Sequence, residues 1–129
     1  MKHRIVAMTL LALLGSATLW AGGTSLSSLA QKEQELSRQI KQAYLRGSDP
    51  APLYNRLIRV HREIRHASSN PEVDNMAAFL TFCLQDLRRA ITAPRNPGNI
   101  EIVSDLDSTI QEGAGYIRAL SRGKALAAR

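Results

Sequence analysis

The sequence predicts an all-α fold, an up-and-down four-helix bundle preceded by an N-terminal signal helix. Three observations carry this. Four segments repeat apolar residues at helical spacings, turn or cap chemistry separates them, and no stretch alternates with a period of two over a useful length. The connections come to about four to seven residues, the usual length between antiparallel helices. Residues 24–124 are expected to form the helical domain, with residues 1–23 as signal peptide or uncleaved anchor and 125–129 as a short tail.

The N-terminal segment orders its residues as an export signal does: Lys2, His3 and Arg4, an apolar run from Ile5 to Leu14, then small residues. A membrane span needs about 20 consecutive apolar residues, roughly twice this run, so cleavage is the expectation. Gly15 with Ala17, or Ala21 with Gly23, supplies the small residues a cut requires, and a cut after Ala21 is a third option. The rival is an uncleaved anchor with Lys2 and Arg4 inside and Trp20 at the far interface. No cysteine follows the run, so no lipid-modified N-terminus is expected.

The first helix is expected from Ser25 to Arg46, with Leu26, Leu29, Leu36, Ile40 and Ala43 as its stripe, Glu33 as the polar interruption and Gly47 as C-cap. Asp49-Pro50 opens the second, Ala51 to Ala67, which carries Leu53, Leu57, Val60 and Ile64. The third starts with Asn70 as cap and Pro71 in the first turn, where Glu72 and Asp74 complement the helix dipole, and ends near Thr92. A Pro97-Gly98 breaker follows. The fourth begins near Asn99 with Val103, Leu106, Ile110, Ile117 and Leu120, has Gly113 on its seam, and ends near Gly123. Two stacked hairpins of tetratricopeptide type are the competing architecture, but that repeat's large, small and glycine positions are not in place.

Seventeen basic residues stand against 11 acidic ones; without Lys2 and Arg4, 15 against 11 leaves a net charge of about +4. Such a charge permits an acidic protein surface or an anionic membrane surface as partner, and is compatible with a homo-oligomer. Nucleic acid is disfavoured, because aromatic residues are few and are not interleaved with the basic ones. Cys83 is the only cysteine and falls on the stripe of Val73, Met76, Leu80 and Leu87, so it reads as a buried core residue.

The second helix has the most specific surface. On a wheel of about 100° per residue, its apolar set spans roughly 40° to 100° from Arg56, and Arg65, Arg62, His66, Arg59 and Arg56 follow one another around the other half. Glu63 is the one acid among them. Two readings stay open: a solvated surface opposite the core, and a docking face whose guanidinium groups bind carboxylates or phosphates in bidentate fashion.

No metal, cofactor or catalytic residue is expected. His61 and Cys83 are too few for zinc, and His61 with Met76 is the one pair a haem iron could use. The chain has no glycine-rich phosphate loop, no Gly-x-Ser-x-Gly elbow and no histidine–cysteine pair with an orienting group. A chorismate-mutase-like bundle would point arginines into its core, whereas here they point outward. Glu101, Asp105, Asp107 and Glu112 are expected to face solvent or to pair with arginines of the second or third helix.

The stretch from Leu57 through Ile64, Ala67 and Asn70-Pro71, then Phe79, Gln85-Asp86-Leu87 and Ile91, followed by Pro94-Arg95-Asn96-Pro97, resembles the small exported RAQPRD proteins of integrative conjugative elements. Those have a signal peptide, two helices with Asn-Pro or Asp-Pro between them, and a Pro-Arg-x-Gln-Pro-Arg-like segment after the second. Here that segment lacks the glutamine and the second arginine, and a fourth helix continues past the family's usual end. The resemblance implies a periplasmic accessory of a conjugative DNA-transfer apparatus with no enzymatic role. Together these readings point to a non-enzymatic exported helical protein that binds other proteins in the bacterial envelope. The alternatives are a small ligand or cofactor carrier using the interior around His61 and Met76, and a membrane-anchored subunit.

Overall fold

The computed structural model describes residues 25–127, with side chains as far as Arg122; the stretch on which the signal-peptide expectation falls lies outside these. Four helices and no strand occupy the described residues: α1 (Leu26–Arg46), α2 (Ala51–Ala67), α3 (Pro71–Thr92) and α4 (Pro97–Ala127).

Local chemistry sets each boundary. The Ser25 hydroxyl accepts the Ser28 N–H at 3.1 Å and caps α1. Gly47 ends it at φ 79°, with the Gly47 N–H donated to Tyr44 O and the Ser48 N–H to Ala43 O, a Schellman closure. Asp49 Oδ1 accepts the Ala51 N–H at 3.0 Å where α2 starts, and Asn70 Oδ1 accepts the Glu72 N–H at 2.8 Å at the head of α3. The start of α4 corrects the sequence expectation. Asn96 Oδ1 accepts the Asn99 N–H at 2.9 Å, so Asn96 is the cap and Pro97-Gly98 is the first turn rather than a breaker. Proline suits that position because its missing N–H is one that no helical carbonyl would have bonded. The helix also continues past Gly123 to Ala127, through residues expected to be tail.

Each helix packs on its neighbour in sequence, and α4 returns to lie along α1, the most extensive pairing of all. Residue pairs run in opposite directions at every interface. Tyr54 and His61 of α2 meet Leu84 and Thr81 of α3, while Gln34 and Ser37 of α1 meet Gln111 and Asp107 of α4. The helices therefore alternate up and down around one core, and the α1–α4 contact excludes an open two-hairpin stack. Ile40, Leu57, Ile64, Leu80, Leu84 and Ile110 are fully buried in that core. Each contributes about 1.5–3 kcal/mol relative to exposure. Cys83 is buried with them.

Two tyrosines outside the apolar stripes join the core. Tyr54 is buried and its hydroxyl donates to Leu84 O at 2.8 Å, while buried Tyr44 reaches Pro94 O at 3.5 Å. Gly113 lets α4 lie close against α3: a Cβ there would stand 2.7 Å from Leu80 Cδ2 and 3.1 Å from Met76 Sδ.

The α1–α4 interface carries a polar seam instead of an all-apolar one. The Gln34 amide donates to Gln111 O at 2.9 Å, the Gln111 amide donates back to Gln34 O at 2.7 Å, and Arg118 Nη1 donates to Gln34 Oε1 at 2.9 Å. Asp107 is buried and accepts from Ser37 Oγ at 2.8 Å and Gln111 Nε2 at 3.0 Å, with Lys41 at 3.8 Å. This corrects the expectation that Asp107 faces solvent or meets arginines of the second or third helix. Its place on α4 turns toward α1, where Ser37 and Lys41, with Gln111 of its own helix, satisfy it. Glu101, Asp105 and Glu112 are exposed. Side-chain to main-chain pairs such as the two glutamines close in only one alignment, so the seam sets the register of α1 against α4.

Candidate functional site

The arginines of α2 are exposed, because the apolar arc of Leu57, Val60 and Ile64 is held on α1 and α3 and turns the opposite arc outward. The five residues fan out rather than forming one patch. Arg56 leans toward α1 and, with Arg59 and Glu63, shares a groove with Lys32, Glu35 and Gln39. Arg65 leans toward α3, its Nη1 donating to Thr81 Oγ1 at 3.4 Å. Arg59 and Arg62 hold the centre, where they line a groove of about 620 Å³ with Tyr54, Asn55, Ile58 and Arg88. His66 is exposed beside them.

Arg88, from α3, is the residue the helical wheel of α2 could not supply. It brings a third guanidinium to a groove without a carboxylate, and its charge partly offsets the burial that raises the Tyr54 hydroxyl above its ordinary 10.0. Among the described residues, no carboxylate lies within 4.0 Å of Arg56, Arg59, Arg62, Arg65 or Arg88. Their charges are thus available to a partner, where each guanidinium can grip a carboxylate with two parallel hydrogen bonds.

Beneath the arginines lies a buried polar cluster of which the sequence signalled only Glu33, the polar interruption of the first stripe. His61 Nδ1 stands 3.2 Å from Glu33 Oε1, and His61 Nε2 stands 2.8 Å from Thr81 Oγ1. The Thr81 hydroxyl donates to Ala77 O at 3.0 Å, which leaves its oxygen free to accept from Nε2–H, while Nδ1 faces the Glu33 carboxyl. Glu33 is fully buried, and its Oε2 has no hydrogen-bond partner. With both ring nitrogens engaged, His61 has none left for a haem iron, and Met76 Sδ packs toward Gly113. No group of three or more histidine, cysteine or acidic side chains able to hold a metal ion occurs among the described residues.

Pro94-Arg95-Asn96-Pro97, the segment that carries the RAQPRD resemblance, performs structural work. Arg95 Nη1 donates to Leu45 O at 2.9 Å and Tyr44 O at 3.3 Å, closing the carbonyl end of α1 with a cation. Asn99 Nδ2 donates to Pro94 O at 2.9 Å. At the other end of the bundle a cavity of about 500 Å³ is walled by Leu26, Ala67, Val73 and Leu120, beside Ser25 and Arg122. No described helix is long and apolar enough to cross a membrane.

Comparison with protein-family models, curated proteins and solved structures finds no match for this chain.

Proposed function

We propose that this chain is a non-enzymatic exported protein that serves as a binding accessory or adaptor in the bacterial envelope, and that it holds an acidic protein surface with the arginine face of α2. The observation that carries the reading is the set of exposed, unpaired guanidinium groups: Arg56, Arg59, Arg62 and Arg65 from α2, joined by Arg88 from α3. Arg95 and Arg118, by contrast, are spent on carbonyl and amide oxygens of the fold, while these five face solvent without a carboxylate. The N-terminal order of Lys2 to Arg4, apolar run and small residues supports export, and the stretch from Leu57 to Pro97 supports a place in a conjugation or secretion apparatus.

Replacing Arg56, Arg59, Arg62 and Arg65 by glutamine should leave the helical circular dichroism spectrum intact, since all four are exposed, and should abolish salt-sensitive retention of the purified protein on immobilised poly-L-glutamate. Equal retention by the quadruple variant would remove this face from consideration. N-terminal sequencing of protein recovered from the envelope fraction checks export: an intact Met1 would replace the secreted reading by an anchored one.

A further inference from the structure

The far side of the bundle differs from the arginine face in both charge and chemistry. Phe79 and Phe82 of α3 are 51% and 65% exposed, and Ile102 and Tyr116 of α4 are 48% and 44% exposed. Met76 and Leu106 lie half-buried in the two grooves between these helices. Glu72, Asp86, Asp105 and Glu112 stand on the same flank, all exposed, and the Tyr116 hydroxyl donates to Glu72 Oε2 at 3.0 Å. One arginine, Arg89, reaches this flank, where it pairs with Asp86 at 3.3 Å. Large aromatic side chains collected on an exposed face are characteristic of interaction surfaces.

We infer that this face receives the arginine face of α2 from a second copy of the same chain, in a head-to-tail contact. The inference rests on the reading of the α2 arginines as a docking surface. Complementarity favours it over other occupants. Guanidinium planes stack on aromatic rings and bind carboxylates in bidentate fashion, and the α3–α4 face offers both. Anionic lipid would meet Glu72, Asp86, Asp105 and Glu112 and be repelled. A two-fold contact joins a patch to itself, which would set arginine against arginine or acid against acid. The two faces point in different directions, one outward from α2 and the other across α3 and α4, so the pairing is heterologous and builds a ring or an open chain.

The test uses the purified protein with its native N-terminus and two variants at exposed positions: R59E/R62E, which reverses the basic face, and F79S/F82S, which strips the aromatic one. In sedimentation velocity at low salt the native protein should grow in mass with concentration, and it should return to monomer at about 1 M salt, where the screening length is about 3 Å. Each variant alone should remain monomeric. Their equimolar mixture should give a heterodimer and nothing larger, because one good face remains on each. A native protein that stays monomeric at submillimolar concentration overturns the inference, as does self-association that survives R59E/R62E, or a mixture that stays monomeric. Phosphatidylglycerol vesicles that bind the native monomer and lose it on F79S/F82S would place a membrane on this face instead. Retention on poly-L-glutamate separates the two proposals. A monomeric protein retained through its arginines sinks the second copy alone, while a monomeric protein that is not retained sinks both.

Discussion

Removing the His61 imidazole should be among the most damaging single changes in the molecule, although His61 is not one of the apolar core residues. His61 is 5% exposed and is the sole hydrogen-bond partner of Glu33, which is fully buried and already has one oxygen unsatisfied. In H61L the carboxyl group stays in the core with nothing to bond. Breaking one side of a buried pair costs about 3–5 kcal/mol, whereas replacing both members by apolar residues of similar volume is neutral or stabilising by about 1–4 kcal/mol. Stability for a domain of this size is about 5–15 kcal/mol, so H61L should lose at least about a fifth of it. At about 4–8 °C per kcal/mol, the melting temperature should fall by at least about 12 °C. The double variant E33L/H61L should recover the native value or exceed it. Urea denaturation of the native, two single and double variants closes the cycle. If H61L costs under about 1 kcal/mol, or if the double variant loses the sum of the two single losses, the pair does not work as argued.

Further outcomes follow from other contacts. G113V should destabilise by about 1–3 kcal/mol in thermal melts despite removing a helix glycine, because the added methyl groups enter space held by Leu80 and Met76. G47A should cost about 1–2 kcal/mol, since Gly47 sits at φ 79° and an added Cβ would stand 2.8 Å from Arg95 Nη1; faster amide exchange at positions 47 and 48 would locate the damage. Burial, with Asp86 adding, pushes the Cys83 thiol up from its ordinary 9.0, and burial raises the Tyr54 hydroxyl from 10.0. Both groups are held protonated by the fold. Their contribution is therefore complete below the ordinary values and is lost as pH rises through the raised ones, so the urea midpoint should drop as pH rises above about 9 and drop less in Y54F/C83A.

The helices were legible because their ends are written in residues with one local job. Gly47 supplies a left-handed cap, Asn70-Pro71 a cap and first turn, and the intervals between them match the helical period of Leu57, Ile64, Leu80 and Ile110. Pro97-Gly98 was misread because proline and glycine punctuate a helix start as readily as a break, and only the Asn96 side chain decides which. Exposure of Arg56, Arg59, Arg62 and Arg65 follows from the wheel of α2 alone. Arg88 and Asp107 do not, because one helix's period says which face is apolar but not which neighbour lies to its left or right. The same limit hid the Gln34–Gln111 seam. Tyr44 and Tyr54 escaped the apolar count because their polar tips find carbonyls across the core, something an intrachain spacing cannot reveal.

The cavity bounded by Ser25, by the α2–α3 turn and by Leu120 to Arg122 shows that both limits of the helical domain sit at one pole. The turns at 47–50 and 93–96 form the opposite pole, stapled by Arg95. A tether, affinity tag or fluorescent fusion attached at either end of the domain will therefore crowd the same pole and leave the long flanks of α2, α3 and α4 clear. A short linker across that pole would let the chain be reopened at 48–49, a circular permutant with its ends at the Arg95 pole.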